Sequence, residues 1–217
     1  MTEKSVFREG VARFFFPPQC AVCHEIGEKG LCPSCRRALE ARFAPRPILC
    51  NGGNGYADLV FVLFPYREIH VKKLLFDWKR NAYDDTASVL RDFLERAIPR
   101  LEIPPVDAVA YCPRRPGAVR RRGHDQALLL SDTVSEAIRV PRRDLLRCRG
   151  AVLPQHFLRR QQRLARAAKT FEATVELAGE SILLVDDVVT TGATVNAAAR
   201  VLKEAGAMQV YVLALAH

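Results

Sequence analysis

The stretch Ser181-Ile182-Leu183-Leu184-Val185-Asp186-Asp187-Val188-Val189-Thr190-Thr191-Gly192-Ala193-Thr194-Val195 decides the reading of this chain. Its apolar opening, Ser181 to Val185, has the length and content of a buried β-strand. A helix is expected from about Thr194 to Ala205, stopped by Gly206, and a second strand from Gln209 to Ala214. The strand delivers two adjacent carboxylates to the carboxyl edge of a sheet, where open α/β folds bind ligands. The Thr- and Gly-rich loop then feeds a helix N-terminus, where backbone N–H groups, hydroxyls and the helix dipole favour a phosphate. Two carboxylates repel a phosphate but suit neighbouring sugar hydroxyls. The implied ligand is a ribose carrying a terminal phosphate.

Upstream, the pattern of strands alternating with helices continues. Leu59 to Phe64 is an apolar run of strand length ended by Pro65. Ile69, Leu74, Leu75 and Trp78 recur at helical spacing, as do the apolar residues from Asp85 to Ile98. After Pro99, Pro104 and Pro105 come a buried strand from Val106 to Cys112, an Arg-rich loop and a helix from about Gln126 to Ile138. An Arg-rich stretch of ambiguous structure then runs to Lys169. This order predicts an α/β fold with a parallel sheet covered on both faces.

Cys20, Cys23, Cys32 and Cys35 form two C-x2-C pairs, while Cys50, Cys112 and Cys148 are scattered. Each pair can place two thiolates on one metal ion, and zinc fits the spacing; another metal or a degenerate site are the alternatives. Four thiolates leave no open coordination position, so the expected role is structural. The metal would organise about residues 17 to 40, which carry too few apolar residues to fold unaided. Cys50 is a substitute ligand by composition alone.

With 217 residues, 49% hydrophobic and 26% charged, the chain is expected to form a main domain with a small appendage rather than a disordered or collagen-like structure. The apolar run Phe14 to Phe16 stops at Pro17, and charges at Glu3, Lys4, Arg8, Glu9 and Arg13 break up a signal-peptide core. A cytoplasmic location is therefore expected. The net charge of +9 is unevenly placed: residues 113–169 hold 15 Lys and Arg against four acids. Such a region suits nucleic acid, a small polyphosphate, or simply a solvated basic face. His70, His124 and His156 read as surface or packing residues rather than general bases.

The segment from Ile182 to Val195 resembles the phosphoribosyl pyrophosphate (PRPP) signature of type I phosphoribosyltransferases, in which apolar residues precede two acids and a T-T-G-x-T loop. The resemblance implies that Asp186 and Asp187 hold the ribose hydroxyls and that Thr190, Thr191, Gly192, Ala193 and Thr194 hold the 5′-phosphate. It also implies Mg2+ bound with PRPP, and Arg114, Arg115, Arg120, Arg121 and Arg122 as candidates for the pyrophosphate. The four-cysteine unit joined to such a core is similar to the ComF family, associated with DNA uptake in competent bacteria. Tyr66 to Lys79, Tyr111 to Arg114, Arg120 to Gln126, and the spacing of Gln155, Leu158, Arg163 and Phe171 carry that likeness. The sequence departs from it at Trp78, where Leu is usual, at Cys112 for Val, at His124-Asp125 for Phe-Asn, and at Arg166 for Asn.

The fold class implied is thus a parallel-sheet, type I phosphoribosyltransferase-like α/β core with a small N-terminal zinc-binding unit. Residues 1–50 would form the zinc unit and 51–217 the phosphoribosyltransferase-like domain, with 51–105 as hood and 106–217 as core. The implied activity is phosphoribosyl transfer to an acceptor with release of pyrophosphate. The alternatives are a protein of the DNA-uptake type that binds single-stranded DNA or competence proteins on the same fold, or a PRPP sensor. An amidotransferase-type glutaminase is not expected, because Cys20 is internal and committed to metal.

Overall fold

A computed structural model describes residues 17–27, 29–48, 55–80, 85–115, 117, 119, 120, 124–148 and 170–217. Cys50, Arg121, Arg122, Gln155, His156, Leu158, Arg163 and Arg166 lie outside the described residues, as does most of the ambiguous Arg-rich stretch. The elements in chain order are α1 (Pro33–Glu40), β1 (Arg46–Ile48), β2 (Leu59–Phe64), α2 (Ile69–Arg80), α3 (Asp85–Ala97), β3 (Ala108–Tyr111), α4 (Gln126–Ile138), β4 (Leu146–Cys148), β5 (Phe171–Ala173), β6 (Ser181–Val188), α5 (Ala193–Glu204) and β7 (Gln209–Ala216).

One sheet runs β1-β2-β7-β6-β3. Its strands β2, β7, β6 and β3 are parallel, and β1 is an antiparallel edge. A second, two-stranded sheet pairs β4 with β5. The strands β2 and β6, buried along nearly their whole length, read as continuous apolar runs because both faces of the sheet are covered. Alternate side chains separate cleanly. Phe61, Leu63, Leu183, Val185, Leu213 and Leu215 enter one core with residues of α2, α3, α4 and the cysteine unit. Val60, Val62, Ile182, Leu184, Val210 and Val212 enter the other with α5 and the β4–β5 hairpin.

This division of helices positions the site. Helix α4, which follows β3, packs through Leu130 and Val134 on the first face, whereas α5, which follows β6, packs through Val195, Ala198 and Leu202 on the second. The chain leaves the carboxyl ends of the adjacent strands β3 and β6 toward opposite faces. Such a switch point is where parallel α/β sheets bind ligands.

Several boundaries differ from the sequence reading. Strand β6 runs to Val188 instead of ending at Val185, because β7 continues to Ala216 and supplies partners for Asp186 and Val188. The strand expected from Val106 to Cys112 is shorter, confined to Ala108–Tyr111 between flanking prolines. Helix α5 starts at Ala193, one residue early, and Gly206 follows its end as expected. At Gly206 φ is +107°, and an added Cβ would meet the Leu177 carbonyl oxygen at 2.1 Å, so only glycine fits. The antiparallel edge β1 and the hairpin strands β4 and β5, each three residues long, gave no legible alternation. No helix among the described residues is long and apolar enough to cross a membrane.

The cysteine unit is not a free appendage. Cys20, Val22, Leu31, Cys35 and Leu39 are buried in the same cluster as Phe64, Leu74, Leu90 and Phe93. Phe43 sits beside Phe64 and Phe93, with ring centroids 5.5 and 5.1 Å away, and Arg96 of α3 stacks on Phe93 at 4.6 Å while pairing with Glu40 of α1 at 2.9 Å.

Candidate functional site

Asp186 and Asp187 lie at the carboxyl end of β6, where the neighbouring strand has just stopped. Tyr111 is the last residue of β3 paired with β6, opposite Val185, and the Cys112 N–H closes the ladder on the Val185 carbonyl at 3.0 Å. The two carboxylates therefore stand at this switch point, both buried. The Asp187 N–H donates to Asp186 Oδ1 at 2.9 Å. Asp187 Oδ2 accepts from Arg114 Nη2 at 2.6 Å and lies 3.2 Å from Lys79 Nζ.

Burial, followed by the charge of Asp187, pushes Asp186 up to about 8 from its ordinary 3.8. Near neutral pH this favours a proton on Asp186, and the pair faces two cations. The buried Cys112 thiol is also pushed up, by burial and then by the nearby carboxylates, which makes it an inert thiol.

Asp186 gives a stability prediction. Its folded value lies above its unfolded one, so the folded state keeps a proton that the unfolded chain releases between about pH 4 and 8. Stability falls as pH rises through that window, by up to about 1.4 kcal/mol per unit, and levels off above pH 8. The D186N variant, neutral at every pH, should lack this slope. Urea midpoints at pH 6, 7, 8 and 9 check it: the difference between D186N and wild type should widen from pH 6 to 8 and then stay constant. Parallel profiles would exclude a buried proton.

The loop that enters α5 has the expected form. Gly192 is the N-cap, at φ +73°, and no side chain caps the helix in a standard way; the Thr191 hydroxyl sits 3.4 Å from the Ala193 nitrogen. Thr190, Thr191 and Thr194 are exposed, Ala193 is half-buried and Gly192 is buried. Three exposed threonines and a helix N-terminus thus follow the carboxyl end of β6.

Of the candidate arginines among the described residues, only Arg114 is brought to the acids. Arg114 reaches Asp187, and its own N–H donates to Asp125 Oδ2 at 2.8 Å. Arg115 and Arg120 are exposed, and Arg121 and Arg122 lie outside the described residues. Asp125 also accepts from the Ala127 N–H as N-cap of α4, so one carboxylate starts the helix and fixes the Arg114 loop. His124 is buried and its Nε2 lies 3.0 Å from Gln126 Nε2, which also donates to the Lys79 carbonyl at 3.1 Å. His124 is therefore a packing residue, as expected, tied through Gln126 to the end of α2. Asp125 and Lys79 were missed as site residues, although both end segments that stood out in the sequence.

Residues 109–217 match the family described as the phosphoribosyl transferase domain. The chain belongs to this family. Its fold is the type I phosphoribosyltransferase α/β fold, with a four-cysteine cluster at the N-terminal end. Two solved structures are similar to this phosphoribosyl transferase domain protein. One is the allosteric regulatory enzyme of purine biosynthesis, 19% identical with a TM-score of 0.46, covering 65% of this chain and 29% of that one. The other is the glutamine PRPP amidotransferase from B. subtilis in complex with ADP and GMP, 21% identical with a TM-score of 0.45, covering 65% of this chain and 30% of that one. The chain spans under a third of the length of either. Comparison with curated proteins finds no match.

The second site is the cysteine cluster. The sulfurs of Cys20, Cys23, Cys32 and Cys35 all lie within 4.8 Å of one another. A zinc–sulfur bond of about 2.3 Å in a tetrahedron gives sulfur–sulfur edges of about 3.8 Å, and Cys23 and Cys32 are 3.7 Å apart. The residues present fit zinc. The turns that bring them together need left-handed backbone at His24, Gly27 and Gly30, and the Ser34 hydroxyl, 3.1 Å from Cys32 Sγ, favours its thiolate. With four sulfurs the metal would hold the unit and supply no open position for chemistry.

Proposed function

We propose that the chain is a ComF-type phosphoribosyltransferase that binds PRPP with Mg2+ and transfers its phosphoribosyl group to an acceptor, releasing pyrophosphate, in the cytoplasm. The observation that carries this reading is the buried Asp186–Asp187 pair at the switch point, with the Thr190–Thr194 loop on one side and Arg114 on the other. In this reading the acids accept the ribose hydroxyls. The loop and the N-terminus of α5 hold the 5′-phosphate. Near neutral pH the proton on Asp186 lowers the repulsion between the acid pair and a ligand rich in phosphate.

Arg114 has a double role in the proposal. Without ligand it neutralises Asp187; with ligand it turns to the pyrophosphate, while its backbone stays anchored on Asp125. Transfer breaks the bond between the anomeric carbon and the pyrophosphate oxygen, which keeps the electron pair. The acceptor atom forms the new bond and loses its proton. Mg2+ on the pyrophosphate oxygens would neutralise charge there, with water completing its shell. Arg114 and Lys79 add fixed positive charge where the leaving group develops its own. Residues 1–50 serve as the zinc unit, 51–105 as the hood and 106–217 as the core, with β2 of the hood part paired to β7.

An alanine scan of Arg114, Arg115, Arg120, Arg121 and Arg122 tests the assignment. A fitted pyrophosphate site makes the effects uneven: Arg114→Ala should weaken PRPP binding about tenfold or more, and the exposed Arg115 and Arg120 should change it less than about threefold. Single-stranded DNA affinity at two salt concentrations is measured on the same proteins. Small uniform losses for DNA, each lowering the salt slope by about one, with no effect on PRPP, would favour the DNA-uptake type of binding protein instead.

A further inference from the structure

Beside the acid pair, between the cysteine unit and α2, lies a cavity of about 430 Å³. Its walls combine two kinds of group that the fold itself does not require. Lys72, Lys73 and Lys79 line it, and none of its lining residues is acidic. Lys72 and Lys73 have no carboxylate partner among the described residues, and the Lys72 ammonium lies 5.9 Å from the centroid of the Tyr66 ring. Tyr66, Val22 and Phe76 supply the apolar surface. Helix α2 already buries Val71, Leu74, Leu75 and Trp78 against the core, yet Phe76 is 60% exposed on its outer side.

Lys72 and Lys73, adjacent in sequence and without a carboxylate partner among the described residues, repel one another, which an anion relieves. Two aromatic rings and a volume in the range of small-molecule sites exceed what a bare inorganic anion needs. Lys79 joins the cavity to the acids, since it lines the cavity and its ammonium is 3.2 Å from Asp187 Oδ2. We propose that this cavity is the acceptor site and that the acceptor is a planar aromatic or heteroaromatic anion, held flat against Tyr66 and Phe76 with its negative group on Lys72 and Lys73. The role as acceptor site rests on the PRPP reading; binding of such an anion does not.

Two fluorescent probes of nearly equal shape test it on the zinc-loaded full chain: 8-anilino-1-naphthalenesulfonate, which carries a sulfonate, and its neutral analogue N-phenyl-1-naphthylamine. Wild type should bind the sulfonate at one site, about tenfold or more tighter than the neutral probe, as expected for charge-assisted contacts. The double variant K72Q/K73Q, altered only at exposed side chains, should lose most of that preference and keep its affinity for the neutral probe. Phe76→Ala should weaken both probes. The control R36Q/R37Q removes two positive charges from the exposed side of α1, away from the cavity lining, and should bind as wild type does. Equal affinity of wild type for the two probes, or unchanged sulfonate binding in K72Q/K73Q, would overturn the proposal. PRPP titration of the same proteins separates the two readings. The probe pattern without PRPP binding would remove the acceptor role and the transferase reading together and leave an anion site; PRPP binding without the probe pattern would remove this site alone.

Discussion

Cys32→Ser should strip the metal from the chain and loosen the whole first face of the sheet. Apparent binding free energies of structural zinc sites are on the order of 10–16 kcal/mol, and here that energy holds residues that pack directly on the core. Val22, Leu31 and Leu39 share a buried cluster with Phe64, Leu74 and Phe93. Loss of the metal therefore exposes α2 and α3 as well as the cysteine loops. If only about 5 kcal/mol reaches the global transition, the melting temperature falls by about 10–20 °C, at about 2–4 °C per kcal/mol for a chain of this size. Elemental analysis should give about one zinc per wild-type chain and almost none for the variant. A Cys32→Ser protein that keeps its full metal, or a wild type without zinc, would refute the four-cysteine assignment. The buried strands of the second face, fed by Ile182, Leu184 and Val212, should keep their hydrogen-exchange protection longest.

The second large effect is expected at the acids. D186N/D187N changes two buried groups to amides of the same shape, so the fold should persist while PRPP affinity drops. A hydrogen bond to a charged group contributes about 1.5–3 kcal/mol, or roughly tenfold to 150-fold in affinity. The two single variants should be unequal. Asp187 organises both Arg114 and Lys79, whereas Asp186 is pushed toward its protonated form, which an amide imitates in part. D187N should therefore cause the larger loss and also weaken the response to Arg114→Ala, because the two residues act on each other. Isothermal titration of the two singles, the double and the D187N/R114A pair measures this. Additive effects of D187N and Arg114→Ala would speak against their direct coupling.

The sequence was most informative where one chemical need dominates a short segment. Ile182 to Val185 can only be a buried segment, and the acids, the Thr-rich loop and the glycine after it are local features with a local reading. The paired spacing of Cys20, Cys23, Cys32 and Cys35 is local in the same sense, and the structure brings all four sulfurs together. What failed was set by distant partners. Strand β6 continues through Asp186 and Asp187 because β7 offers hydrogen bonds up to Ala216, a fact invisible in two charged residues that look like the start of a loop. Strands of three residues, as in β1, β4 and β5, are too short for alternation to register. The five arginines between Arg114 and Arg122 are equivalent by residue type; only the end of β3 at Tyr111 and the anchor on Asp125 distinguish Arg114. Lys79 reaches the site from another helix altogether, through an approach that periodicity cannot report.

In the proposed function the switch point between β3 and β6 holds PRPP. Isothermal titration of the zinc-loaded wild-type chain with PRPP, with and without Mg2+, tests it most directly. Saturable binding at one site per chain is expected, tighter with Mg2+ and weakened about tenfold or more in D186N/D187N. Absence of heat and of any shift in melting temperature with PRPP and Mg2+, or equal binding by wild type and D186N/D187N, would contradict it.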